Sequence, residues 1–173
     1  MADQTPNTAA QDAAAQGATA TDQPSFSLQR AYVKDISLEM PNAPQIFLEQ
    51  ETPSVEVSVN VGGQRLADTV YESTVTATVT TRINDKVLYL VEATQAGIFE
   101  AANLPEEQLD AILGIVCPTM LYPYLRAAVA DIITRTSLPP LHLTEVNFQG
   151  LYEQRQAQLA QQQSAGDTAA TQA

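Results

Sequence analysis

Polar and apolar positions alternate along four stretches of the chain, and that period of two predicts strands. From Phe26 to Met40, Leu28, Tyr32, Ile36 and Leu38 fall largely on one side, and Asp35, Ser37 and Glu39 on the other. Met40-Pro41-Asn42-Ala43-Pro44 ends the run, because proline cannot donate to a central ladder. Ile46, Phe47 and Leu48 then form an apolar triplet in a loop, with no regular element of its own. From Ser54 to Val61, Val55, Val57, Val59 and Val61 face one way and Glu56, Ser58 and Asn60 the other, with Gly62-Gly63 as the turn. Thr69 to Ile83 sets Tyr71, Val75, Ala77, Val79 and Ile83 against Glu72, Thr74, Thr76, Thr78, Thr80 and Arg82. Asn84-Asp85 suits a two-residue hairpin turn. Lys86 to Phe99 returns, with Tyr89, Val91, Ala93 and Gln95 opposite Leu88, Leu90, Glu92 and Thr94. Short turns make such a sheet antiparallel, with one wet face.

After Phe99 the period changes to that of a helix. Between Asn103 and Pro140, apolar residues recur at helical spacing, but Ala111, Ile115, Ala127 and Ala130 fill the opposite side too. Asn103 and Glu106 have the spacing of a capping box, with Pro105 in the first turn. Pro118 predicts a break near Cys117 and the start of a second helical piece, in which Pro123 makes a kink or frees the carbonyl of Thr119. A last helix starts near Asn147, weakened by Gly150. Strands first and helices after give an α+β fold: a four-stranded antiparallel sheet with the kinked long helix and the C-terminal helix on one face.

A helix apolar nearly all round must be buried on more than one side. One sheet covers one side. Pro118, Pro123, Arg126 and Asp131 interrupt the run, which argues against a bilayer span. The second side is therefore expected to pack on another copy of the protein, with Cys117, Leu121, Leu125 and Val129 at the interface.

Charge narrows the partners. The chain carries 20 acidic and 8 basic side chains, a net charge of -12, which repels phosphate backbones and argues against nucleic acid. Its single cysteine, Cys117, lies in the apolar run, so no internal disulfide forms, as suits a reducing cytoplasm. Residues 1–25 have neither a basic segment nor an apolar one, unlike a secretory signal, and are expected to be disordered. Residues 159–173, rich in Gln and Ala, are expected to be a similar tail, leaving a domain at 26–158.

Chemistry is sparse. There is no phosphate-binding loop, one His (His142) and one Cys, so neither a metal set nor a catalytic constellation is suggested, and no enzyme activity or cofactor is expected. What remains is an acidic, oligomeric binding protein with apolar surface to spare. Candidates for that surface are Ile46, Phe47 and Leu48 in the loop, with Tyr89, Val91, Ala93 and Gln95 along the fourth strand; core packing accounts for the strand residues equally well. The surface suits unfolded polypeptide or, alternatively, a small molecule in an apolar cleft.

Several motifs in order resemble one family. Tyr32-Val33-Lys34-Asp35-Ile36-Ser37, Pro41-Asn42-Ala43-Pro44, Gly97-Ile98-Phe99, Cys117-Pro118 before Leu121-Tyr122-Pro123-Tyr124-Leu125-Arg126, and Val146-Asn147-Phe148 look like the SecB export chaperones. The resemblance implies a cytoplasmic homotetramer, a dimer of dimers with helices between sheet layers. It implies an ATP-independent holdase that keeps unfolded preproteins export-competent and delivers them to the SecA ATPase. It also implies that Asp35, Glu39, Leu90 and Glu92 dock the zinc-bearing C-terminal region of SecA, provided both strands present them on one wet face. Glu51 stands where the family often has tryptophan, and the N-terminal extension is long for the family. A SecB-like chaperone dedicated to a toxin-antitoxin pair would share these features.

Overall fold

The structure, a computed structural model, describes residues 23–170, with side chains described to residue 161. The stretch 1–22 of the expected N-terminal extension lies outside the described residues. Four strands, β1 (Ser25–Glu39), β2 (Ser54–Arg65), β3 (Val70–Ile83) and β4 (Lys86–Ala102), form one antiparallel sheet in the order β1-β4-β3-β2. Between β1 and β2 the chain forms a strap with a single 3-10 turn at Gln45–Leu48. Helix α1 (Glu106–Ala111) runs through a π-helical turn (Ile112–Val116) into α2 (Cys117–Thr134); α3 (Phe148–Ala170) follows.

Register decides which side chains share a face. In β1, Leu28 pairs with Phe99 but Arg30 with Ile98, and Val33 pairs with Gln95 but Asp35 with Thr94. Each slip is a bulge that reverses the alternation. Together they carry Tyr32 to the outer face, away from Leu28, Ile36 and Leu38, with which plain alternation had grouped it. Another bulge, between Thr81 and Arg82, leaves Leu88 unpaired and buried in the core instead of beside Leu90.

Gly62-Gly63 is not a turn. Both glycines sit inside β2 with ordinary φ, and a Cβ would come within 2.9 Å of Thr74 Oγ1 at Gly62 and 3.0 Å of Glu72 O at Gly63. They permit close approach to β3, and the chain turns further on, where Leu66 N donates to Val70 O at 2.8 Å. Asn84 does turn the β3–β4 hairpin, with φ 53°.

The long helix differs from expectation at both ends of its first part. Asn103, with φ 56°, stands outside it, and Pro105 occupies the cap position with no side-chain cap. No gap opens at Cys117. Its N–H reaches back five residues to Ile112 O, and Pro118 then sits in the first turn of α2, where its missing amide is not needed. α2 continues through Pro123. Asn147 Oδ1 caps α3 by accepting from Gly150 N at 3.0 Å, so the glycine is part of the helix start. α3 extends to Ala170.

α2 lies across β4 and β3 and touches β1 at its margin. Cys117, Leu121, Leu125, Val129 and Ile133 are buried against Val75, Ala77, Val79, Val91 and Ala93. Gly97 makes this close packing possible, since a Cβ there would lie 2.8 Å from both Leu121 Cδ2 and Phe99 Cε2. The stretch Glu106–Thr134 is long and apolar enough to cross a bilayer, yet one side of it is built into this core. Tyr122 holds the segment after α2 by donating to Thr144 O at 2.5 Å and meeting the Phe148 ring edge-on at 5.4 Å.

Candidate functional site

The inner face of the sheet is only partly covered. Beneath α2, Tyr89, Val91, Ala93 and Gln95 are all buried. As placed, these expected client contacts lie in the core of the chain. The same holds for Cys117, Leu121, Leu125 and Val129, which are buried against their own sheet. Burial pushes the Cys117 thiol up to about 12. Beyond the helix, apolar side chains stay half in water on both flanks: Val33 and Ile36 on β1, Val55 and Val57 on β2. The sequence showed β2's valines as one row but not that α2 would leave its far half bare.

The strap adds to this surface. Ile46 is 1% exposed, Phe47 50% and Leu48 82%. Of the expected triplet, Phe47 and Leu48 meet solvent and Ile46 is a plug in the core. Two polar contacts tie the strap to the hairpin end of the sheet. Asn42 Nδ2 donates to Val87 O at 3.0 Å, and Lys86 Nζ pairs with Glu49 Oε1 at 2.6 Å. The Glu49 carboxylate raises the pKa of Lys86.

A third apolar strip starts at the end of the π-helical turn and runs along α2. Val116, Met120 and Tyr124, spaced by one helical turn, point away from the sheet, and Tyr124 is 52% exposed. The helix thus has two apolar stripes about one residue apart in phase. Spacing reveals both, but which one meets the sheet depends on how α2 leaves β4.

The outer face is polar and acidic. Glu39 pairs with Leu90, Ser37 with Glu92 and Asp35 with Thr94, so all four expected docking residues lie on one face. Glu92 and Leu90 continue into Thr78 and Thr80 of β3, and Thr80 into Glu56 of β2. Thr76 and Thr94 share a hydrogen bond at 2.9 Å, and Thr78 Oγ1 lies 3.5 Å from Glu92 Oε2. Asp35, Glu39 and Glu92 are exposed, and Leu90 is half-buried among them.

Further along this face, Glu72 is buried under a cluster that alternation does not reveal. Tyr32 Oη donates to its carboxylate, as do Lys34 Nζ at 2.7 Å and Gln64 Nε2 at 2.8 Å. The bulges put Tyr32 and Lys34 in reach, and small Ala96 of β4 leaves room to cross. Lys34 and then Tyr32 hold the Glu72 carboxyl below the usual carboxylate range, while the same contact raises the Tyr32 hydroxyl.

Between β2 and α3 lies an open cleft of about 520 Å³, lined by Val59, Val61, Gly114, Tyr152, Arg155 and Gln158 among others. Tyr152 lies on Gly114, where a Cβ would come within 2.5 Å of the ring, and donates to Asp110 Oδ2 at 2.5 Å.

Residues 19–159 match the family described as preprotein translocase subunit SecB. The chain belongs to the SecB family. Curated relatives agree. The protein-export protein SecB of Bordetella petrii is 82% identical over 142 residues, which cover 82% of this chain and 81% of that one. The SecB of Bordetella avium is 73% identical over 163 residues, covering 94% and 90%. A SecB-like chaperone of Mycobacterium tuberculosis, solved in complex with an antitoxin peptide, shares the fold at a TM-score of 0.57 and 18% identity, covering 70% of this chain and 90% of that chain. The α+β fold is thus the SecB fold, and its sheet carries two unlike faces: an apolar, partly covered inner one and an acidic outer one.

Proposed function

We propose that this SecB-family chain is a cytoplasmic, ATP-independent holdase that binds unfolded preproteins and hands them to the SecA ATPase. The observation that carries the reading is the apolar surface left in water around a finished core: Phe47, Leu48, Val33, Ile36, Val55 and Val57. Such a surface is extended and carries no charge, as a binder of many sequences requires. The outer stripe of α2 supports a homotetramer, a dimer of dimers in which Val116, Met120 and Tyr124 pack between subunits. Four copies would then let one long client bind at several sites at once.

The acidic outer face is the proposed SecA dock, with Asp35, Glu39 and Glu92 steering a basic partner and Leu90 adding a desolvated contact at the centre. Relatives with export names at 73–82% identity favour general export over a chaperone dedicated to an antitoxin. Light scattering from a denatured, aggregating polypeptide tests holding. A stoichiometric amount of oligomer, without nucleotide, suppresses the scattering; unsuppressed aggregation would remove the holdase reading.

A further inference from the structure

The strap between β1 and β2 has one buried side chain between exposed ones. Ile46 is 1% exposed while Phe47 and Leu48 beside it stand in water. It belongs to the same buried apolar cluster as the hairpin-end residues Ile83, Leu88 and Tyr89. Little else fastens the strap. Among the described residues, its backbone bonds outside the sheet and helices stay within it: Ala43 N to Met40 O, Ile46 N to Asn42 O, Phe47 N to Pro44 O and Glu49 N to Ile46 O. No backbone bond of this kind would have to break for the strap to lift. Its side-chain ties are the Asn42–Val87 bond and the exposed Lys86–Glu49 pair, and exposed pairs hold weakly.

A second observation lies at the same end of the inner face. Thr81, which pairs with Tyr89, has a buried hydroxyl with no hydrogen-bond partner. Buried polar groups are ordinarily satisfied, and an isoleucine cannot satisfy one. The inner face thus holds an unsatisfied hydroxyl near its hairpin end, which a bound backbone donor or acceptor could satisfy.

We infer that Ile46 stands in for a client side chain: an unfolded segment displaces it from the socket and inserts a branched aliphatic or aromatic residue, while Phe47 and Leu48 grip the flanks. The inference rests on the holdase reading above and gives that site a competitor within the chain. Exchange of one apolar side chain for another is close to neutral, so the socket discriminates little among clients. The strap's closed population lowers apparent client affinity by the fraction that is open.

The test is a calorimetric titration with one unfolded preprotein segment. The wild type is measured first; failure to bind would remove the holdase reading and this inference together. Ile46→Ala, checked for unchanged secondary structure and mass, is expected to bind roughly tenfold tighter, the scale of one buried branched side chain. Weaker or unchanged binding would overturn the plug. A second arm leaves Ile46 in place. Glu49→Cys with Lys86→Cys, bridged by a short bismaleimide, clamps the strap, since buried Cys117 stays unlabelled. The clamped protein is expected to lose about tenfold in affinity relative to the same pair capped singly. Full binding by the clamped protein, with the wild type also binding, would remove this inference and leave the holdase reading intact.

Discussion

Glu72 shows what a single side chain contributes to this sheet. Its buried carboxylate accepts from Tyr32 and Lys34 of β1, across β4, and from Gln64 of neighbouring β2, so it ties three strands through side chains alone. Glu72→Ala leaves Tyr32, Lys34 and Gln64 without their acceptor and should cost about 1–3 kcal/mol, read from urea midpoints. Because the folded-state pKa is lowered, the stabilisation is complete above the ordinary carboxylate range and fades as pH falls through the folded value. The midpoints of wild type and Glu72→Ala should therefore converge in acid; a constant gap would show that ionisation is not what matters. The sequence placed Glu72 on the polar side of its strand, correctly. It gave no sign of Tyr32 and Lys34 as partners, because bulges are set by how two strands pair and neither strand encodes them alone. Ile46 is similar: its composition marks it as apolar, and only the path of the strap separates it from Phe47 and Leu48.

At the scale of elements, strands and their order of appearance were legible because period two and period 3.6 are distinct signals. The helix was legible in extent and ambiguous in orientation. Leu125 and Tyr124 are neighbours in sequence, yet one is buried on the sheet and the other is half exposed. This separates two variants that spacing treats alike. Leu125→Glu puts an unpaired charge in the core and should unfold the subunit, seen by circular dichroism. Tyr124→Glu should keep a folded subunit and reduce the sedimentation mass; an unchanged oligomer in that variant would exclude the outer stripe of α2 as the interface. The π-helical turn is a second element-scale device, because it brings Gly114 under Tyr152. Gly114→Ala forces the ring off the turn and should cost about 1–3 kcal/mol by overpacking. Limited proteolysis should then cut within α3 faster than in wild type, and equal rates would show that α3 docks by other contacts.

For the whole molecule, the proposed function gives the two faces of the sheet different tasks. The two faces differ in what they expose: Asp35, Glu39 and Glu92 stand in water on the outer one, and apolar residues line the flanks of the inner one. A side chain on one face of a strand cannot reach the other, so partner docking and client holding should be separable by mutation. Electrostatic steering also weakens with salt, which distinguishes docking from apolar holding in the wild type. The most direct test is one protein in two assays. Glu92→Lys is titrated against SecA by calorimetry and, in parallel, challenged with a denatured polypeptide while its mass is followed by sedimentation. The expected result is clearly weaker SecA binding with full oligomer mass and unchanged suppression of aggregation. Unchanged SecA affinity, or loss of holding together with docking, would contradict the division of the two faces.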